Sequence, residues 1–137
     1  MLSRLSIALV LMAVCVVIHA AGVSWALRKL RRSREPAPRL AAGIQLFVLV
    51  AAWIILLHLA EIAVWAGFYL WQDAMPDLAS ALYFSAVTYT TTGYGDLVLA
   101  EEWRLLGAVE ALTGILMCGW STGFFFAIVN RIYEGYR

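Results

Sequence analysis

From Leu5 to Leu27 the chain is apolar except at Ser6, His19 and Ser24. At 1.5 Å per residue, a helix of about 23 residues crosses the ~30 Å hydrocarbon core of a bilayer. Two further runs, Ala41 to Trp71 and Trp103 to Val129, are long enough to do the same. Composition agrees: 64% of residues are hydrophobic and 14% charged, against roughly 45–50% and 25% in soluble domains. The chain is an all-α membrane protein. Its 137 residues leave room for about one domain of ordinary size.

The position of the charges sets the expected topology, whereas the formal net charge of +1 says nothing about partners. Arg28, Lys29, Arg31, Arg32, Arg34 and Arg39 cluster in RKLRRSREPAPR, which reads as a short connector held in the cytoplasm by the positive-inside rule. The N-terminus is then outside and the C-terminus cytoplasmic, with Arg131 and Arg137 also inside and only Arg4 and Arg104 outside. Trp65, Tyr69, Trp71 and Trp103 form the expected outer aromatic belt, and Trp25, Tyr133 and Tyr136 the inner one. Arg28, Lys29, Arg31, Arg32 and Arg34 are placed to meet anionic headgroups; a topology signal alone is the plainer role. Arg4, the apolar stretch and Ala20-Ala21 also resemble the three parts of a signal peptide, the alternative reading of the first helix. Cys15 and Cys118 lie in apolar runs and read as small core residues.

Between the second and third runs lies QDAMPDLASALYFSAVTYTTTGYGDLVLAEE, too apolar for an ordinary exposed loop. Pro76 suits the first turn of a helix, Asp73 and Asp77 suit its positive end, and residues 76–89 are helix-compatible. Fourteen residues span only about 21 Å, too short to cross and right for a re-entrant half-helix. TTTGYGD, Thr90 to Asp96, would then be non-helical backbone at membrane depth, tolerated only where protein buries it or where it lines a wet cavity. Stacked carbonyl oxygens can replace the water around a monovalent cation. To turn consecutive carbonyls one way, the chain alternates ordinary and left-handed dihedrals, which glycine does cheaply, hence Gly93 and Gly95. Thr92 and Tyr94 turn their side chains outward, Tyr94 against surrounding aromatics, and Thr91 adds a hydroxyl at the inner end. One chain cannot surround an ion, so a closed symmetric assembly is implied. Asp96, Glu101 and Glu102, repeated around the ring, concentrate cations at the mouth.

ALYFSAVTYTTTGYGD, Ala81 to Asp96, resembles the pore helix and selectivity filter of potassium channels, whose filter motif is TVGYG. The likeness covers roughly residues 41 to 132, similar to the two-helix pore domain of small prokaryotic channels. It implies an outer helix 41–71, a pore helix 76–89, a filter 91–95 and an inner helix 103–130, with residues 1–40 an additional helix and connector at the periphery. By that resemblance Thr91, Thr92, Gly93, Tyr94 and Gly95 are the K+ ligands, four chains form the pore, and the membrane is the prokaryotic inner membrane. Tyr83 occupies the place of a bracing tryptophan, so a hydrogen bond to Asp96 is expected. Two departures stand out: no proline follows Asp96 in DLVLAEEW, and Val87 stands where some members carry a glutamate. Gly114 falls within a residue of the family's hinge glycine, although small residues such as Gly119-x-x-x-Gly123 equally serve close packing. Ile115, Cys118, Thr122 and Phe126 are the expected cavity positions.

Glu61 and Glu110 are intramembrane carboxylates, functional candidates because their burial is costly. Both are expected to accept hydrogen bonds from Tyr, Trp or Thr donors behind the filter; proton sensing is the other reading. His19 and His58 could ligate haem axially, but their depths, about 12 and 21 Å from the cytoplasmic helix ends, do not match, which favours plain core histidines. The chain carries no arginine-repeat helix and hence no voltage sensor. The expected protein is a homotetrameric potassium channel that needs no cofactor and performs no covalent chemistry. A non-conducting, channel-like subunit that scaffolds a partner is the alternative.

Overall fold

The computed structural model describes residues 2–32 and 40–134, with side chains described over 3–30 and 43–130. Four α-helices follow in order: α1 Leu2–Arg32, α2 Leu40–Trp71, α3 Leu78–Tyr89 and α4 Arg104–Glu134, the last entered through a 3-10 turn, Glu101–Trp103. Three stretches, Ser3–Leu30, Gly43–Trp71 and Glu101–Asn130, are long and apolar enough to cross a membrane. No strand occurs among the described residues.

Several boundaries differ from expectation. Helix α1 does not stop before the basic cluster but carries Arg28 to Arg32 as its last turn, where cations complement the negative helix end. The rest of the expected connector, with Arg34 and Arg39, and the side chains of Arg31, Arg32, Arg131, Tyr133, Tyr136 and Arg137 lie outside the described residues. Helix α3 begins at Leu78 rather than Pro76. Asp77 is its N-cap, in extended conformation, and its carboxylate accepts from the Ser80 N–H at 2.8 Å. A shared bond to the Ser80 hydroxyl at 2.9 Å adds to this, and these bonds hold the Asp77 carboxyl below its ordinary range. Asp73 serves the preceding helix instead. With φ of 52° it closes α2, its N–H donating to Leu70 O and the Ala74 N–H to Tyr69 O. That is the paired-bond ending helices use when a residue tolerates the left-handed region, as Asp does better than most.

Helix α2 packs against both α1 and α3, and α4 packs against α1 and α3. The first helix therefore seats along α2 and α4, its buried residues Ala8, Cys15, His19, Gly22 and Ala26 falling on one stripe. Gly22 sets the register. A Cβ there would lie 2.3 Å from Leu57 Cδ2, and the Trp53 indole N–H donates to Gly22 O at 3.1 Å. This contact draws the middle of α1 onto residues 53–61 of α2, and His19 with it. At the other end Arg4 donates to Glu102 O at 2.9 Å and stacks over Trp103 at 4.9 Å. The start of α1 and the start of α4 thus share one end of the bundle.

The aromatics are not all where a belt would put them. Trp71 and Trp25 are exposed, but Trp65 and Tyr69 are fully buried between helices, where Tyr69 packs edge-on against Phe84 of α3. Cys15 is buried as expected; Cys118 is exposed and both thiols are free.

Candidate functional site

Twelve residues of α3 make a rod of about 18 Å, set between α2 and α4. The helix stops because Thr90, Thr91 and Gly93 take over its last carbonyls. Thr90 N donates to Ala86 O at 3.1 Å, Thr91 N to Thr88 O at 2.9 Å and Gly93 N to Val87 O at 3.0 Å. The Thr90 hydroxyl also donates to Ala86 O at 2.7 Å and lies 2.9 Å from Thr92 Oγ1. The backbone beyond is thereby tied to the helix end, and the main-chain oxygen of Val87 supplies the tie. Sequence reading did not single out Thr90, although a third threonine beside the glycines was its visible signal.

Positive φ recurs at every second residue: Thr91 at 60°, Gly93 at 52° and Gly95 at 78°, with Thr92 and Tyr94 ordinary. Such alternation turns successive carbonyls toward one side of the strand. Gly93 and Gly95 were expected there. Thr91 was not, since a β-branched residue pays for that conformation and holds it only when its surroundings impose it. Residues 91–96 are all exposed in the single chain. Tyr94, expected against aromatics, is 72% exposed.

Past the glycines, the Tyr83 hydroxyl donates to Asp96 Oδ2 at 2.6 Å, which is the bond anticipated between them. It holds the Asp96 carboxyl below the ordinary aspartate range. The other oxygen, Oδ1, accepts from the Leu97 N–H at 3.1 Å. Leu99 is then buried against the core and the Arg104 side chain donates to its carbonyl at 3.4 Å, so the proline-less segment is anchored by burial. Glu101 and Glu102 are exposed in the 3-10 turn.

On α4, Ile115, Cys118, Thr122 and Phe126 are all exposed along one face, opposite the buried Thr113, Met117, Ser121, Phe124 and Ile128. Gly114 sits at the crossing with α3. A Cβ there would lie 1.8 Å from Tyr89 O and 2.7 Å from its carbonyl carbon. Close approach is thus the reason this structure gives for glycine at 114; a Cβ added at Gly119 or Gly123 would meet no neighbouring element within 4 Å among the described residues.

Glu61 and Glu110 are fully buried. Tyr69 donates to Glu110 Oε2 at 2.8 Å, while Glu110 Oε1 and the Ser85 hydroxyl, both buried, make no hydrogen bond among the described residues. Glu61 has more company than expected. Its Oε2 accepts from the Tyr89 hydroxyl, and its Oε1 lies 2.9 Å from His19 Nδ1. His58 Nδ1 is 3.0 Å from Tyr89 Oη, and the Nε2 atoms of His58 and His19 lie 3.1 and 3.2 Å from Ser121 Oγ. The result is a closed ring of Glu61, His19, Ser121, His58 and Tyr89, drawn from all four helices.

Five links ask for five protons. With Tyr89 donating to Glu61, His58 donates from Nδ1 to Tyr89 and accepts at Nε2 from Ser121, Ser121 accepts from the Nε2–H of His19, and the fifth proton lies in the Glu61–His19 link. The circuit closes equally with every donor reversed, and in either direction each member of the ring is satisfied. The two histidines are therefore at one level, their ring centroids 5.3 Å apart, not at the unequal depths expected. The depth estimate erred because it measured each histidine from its own helix end, whereas the packing of Gly22 against Leu57 sets how far α1 is shifted along α2. The two rings, 5.3 Å apart and both within hydrogen-bond distance of Ser121 Oγ, pack among the helices as core histidines. Ser121 and Tyr89 were missed, and nothing in their local sequence marks them.

A family model described as ion channel matches residues 43–131. No curated protein and no solved structure matches the chain.

Proposed function

The chain belongs to the ion channel family, since the matched residues 43–131 make up well over half of it, and from that membership we propose a potassium-selective channel formed by four copies. Helix α3 is a re-entrant pore helix, and Thr91, Thr92, Gly93, Tyr94 and Gly95 are the K+ ligands. The observation that carries this reading is the alternation of left-handed dihedrals at 91, 93 and 95, held by bonds to the end of a helix too short to span. Rings of such oxygens exchange for the hydration shell of a monovalent cation with no covalent step. The C-terminal end of α3, partially negative, favours a cation nearby.

Exposure of residues 91–96 and of the Ile115–Phe126 face in one chain supports assembly: a fourfold ring would cover the first and leave the second around a central cavity. Asp96, Glu101 and Glu102 then encircle the mouth, with the N-terminus on the same, outer, side and the C-terminus in the cytoplasm of a prokaryotic cell. Lys29, whose ammonium lies 5.0 Å from the Trp25 ring centroid, is placed to meet the inner headgroups.

Purified protein in vesicles tests the proposal. A potassium gradient should drive flux that a sodium gradient does not, and Gly93→Ala or Tyr94→Ala should abolish it. Equal leakage of both ions, or of neither, would reject selective conduction.

A further inference from the structure

The five-residue ring lies outside the filter, and nothing about conduction requires two histidines in it. We propose that His19, His58 and Glu61 form a binding site for a divalent transition-metal ion of the zinc class. Two imidazoles and one carboxylate are the donor set that such ions take while keeping a further position open. The spacing is near what they need. Ligand atoms around a tetrahedral ion with bonds of 2.0–2.1 Å sit about 3.3 Å apart; here His19 Nδ1 is 2.9 Å from Glu61 Oε1 and His58 Nδ1 is 3.6 Å from Glu61 Oε2. One ligand atom from each of the three residues lies within 4.8 Å of the others, so loading asks for side-chain rotations and no helix movement.

The groups around the three ligands suit the loaded site. With both Nδ1 atoms on the ion, both Nε2–H groups donate to the one Ser121 hydroxyl oxygen, which has two lone pairs. Ser121 keeps its own proton for the Met117 carbonyl one turn back, a bond open to serine inside helices. Tyr89 goes on donating to the carboxylate oxygen. Outer partners of this kind fix ring orientation in metal sites. His58 keeps 17% of its side-chain surface exposed in the single chain, the one of the three ligands that is not fully buried. The ion takes the place of the proton in the Glu61–His19 link, and that proton leaves to solvent; the other four stay on His19, His58, Ser121 and Tyr89. The bound ion fastens α1 to α2 and removes the His58–Tyr89 bond, one residue before Thr90.

The full chain, purified in detergent and stripped with a chelator, is titrated with zinc by calorimetry and counted by elemental analysis. The expected outcome is one ion per chain with release of about one proton per ion, and X-ray absorption showing imidazole and oxygen neighbours without sulfur. His58→Gln and Glu61→Gln should each lower affinity at least tenfold, Ser121→Ala by about 10–100-fold, and Cys118→Ser not at all. Absence of binding, sulfur ligation, or unchanged affinity in both His58→Gln and Glu61→Gln overturns the site. The absorption spectrum of the unmutated protein decides the matter even if a variant does not fold. Binding is read without any current, so its failure is separate from failure of the channel proposal.

Discussion

Gly114→Ala puts the crossing of α4 and α3 under direct load. The added methyl would sit 1.8 Å from Tyr89 O, and real Cβ contacts essentially never fall below 3.0 Å. Helix α4 must therefore retreat from the end of α3 by about 1.2 Å, the difference of those two distances, or the Tyr89 carbonyl must move. Overpacking typically costs about 1–3 kcal/mol, and because the obstacle is backbone with no rotamer to give way, the upper end applies. Alanine returns about 1 kcal/mol through helix propensity, leaving a net loss near 2 kcal/mol. That corresponds to a fall of roughly 5–10 °C in the unfolding midpoint, measured on detergent-purified protein by size-exclusion fluorescence after heating. Gly67→Ala is the control, because its added Cβ would meet no neighbouring element within 4 Å among the described residues. Equal midpoints for the two variants would refute close approach as the role of Gly114 and favour the hinge. A retreating α4 would also shift Tyr89, and potassium flux should fall with stability.

Gly93→Ala forces an L-residue into φ of 52°, at a cost of about 1–2 kcal/mol, and vesicle flux assays should find potassium conduction lost while the protein still assembles. Tyr69→Phe removes the donor to Glu110 Oε2, and leaving that buried acceptor bare should cost about 1–3 kcal/mol; an unchanged melting midpoint would contradict the bond. Asp96 is depressed below its ordinary 3.8 by the Tyr83 hydroxyl, so its stabilising bond is present above that value and is lost as pH falls through the lower, folded one. Tyr83→Phe should therefore move the acid transition of carbon-13-labelled Asp96 upward toward 3.8, and an unmoved titration would show that Tyr83 does not hold the carboxylate.

Much of this protein was legible locally. Three apolar runs gave three long helices, and Gly93 and Gly95 announced left-handed backbone. The Tyr83–Asp96 bond followed from likeness at matching positions. Helix ends were read less well: Asp73, placed in sequence to favour α3, closes α2, because one aspartate can serve either the end of one helix or the start of the next. Thr91 could not be anticipated either, since threonine has no local preference for positive φ and adopts it here between a helix end and a glycine.

What the amino-acid order settled alone was the apolar surroundings, the three stretches long enough to span and the identity of the glycine-bearing non-helical segment, since hydropathy and glycine act through neighbouring residues. Which residues meet across helices was decided by tertiary structure. Apart from His58 and Glu61, α2 is apolar around most of its circumference, so no continuous polar stripe reveals which side turns toward α1 or α3. The fit of Gly22 to Leu57 and of Gly114 to the Tyr89 carbonyl sets those registers, and with them brings His19, His58, Glu61, Tyr89 and Ser121 into one ring.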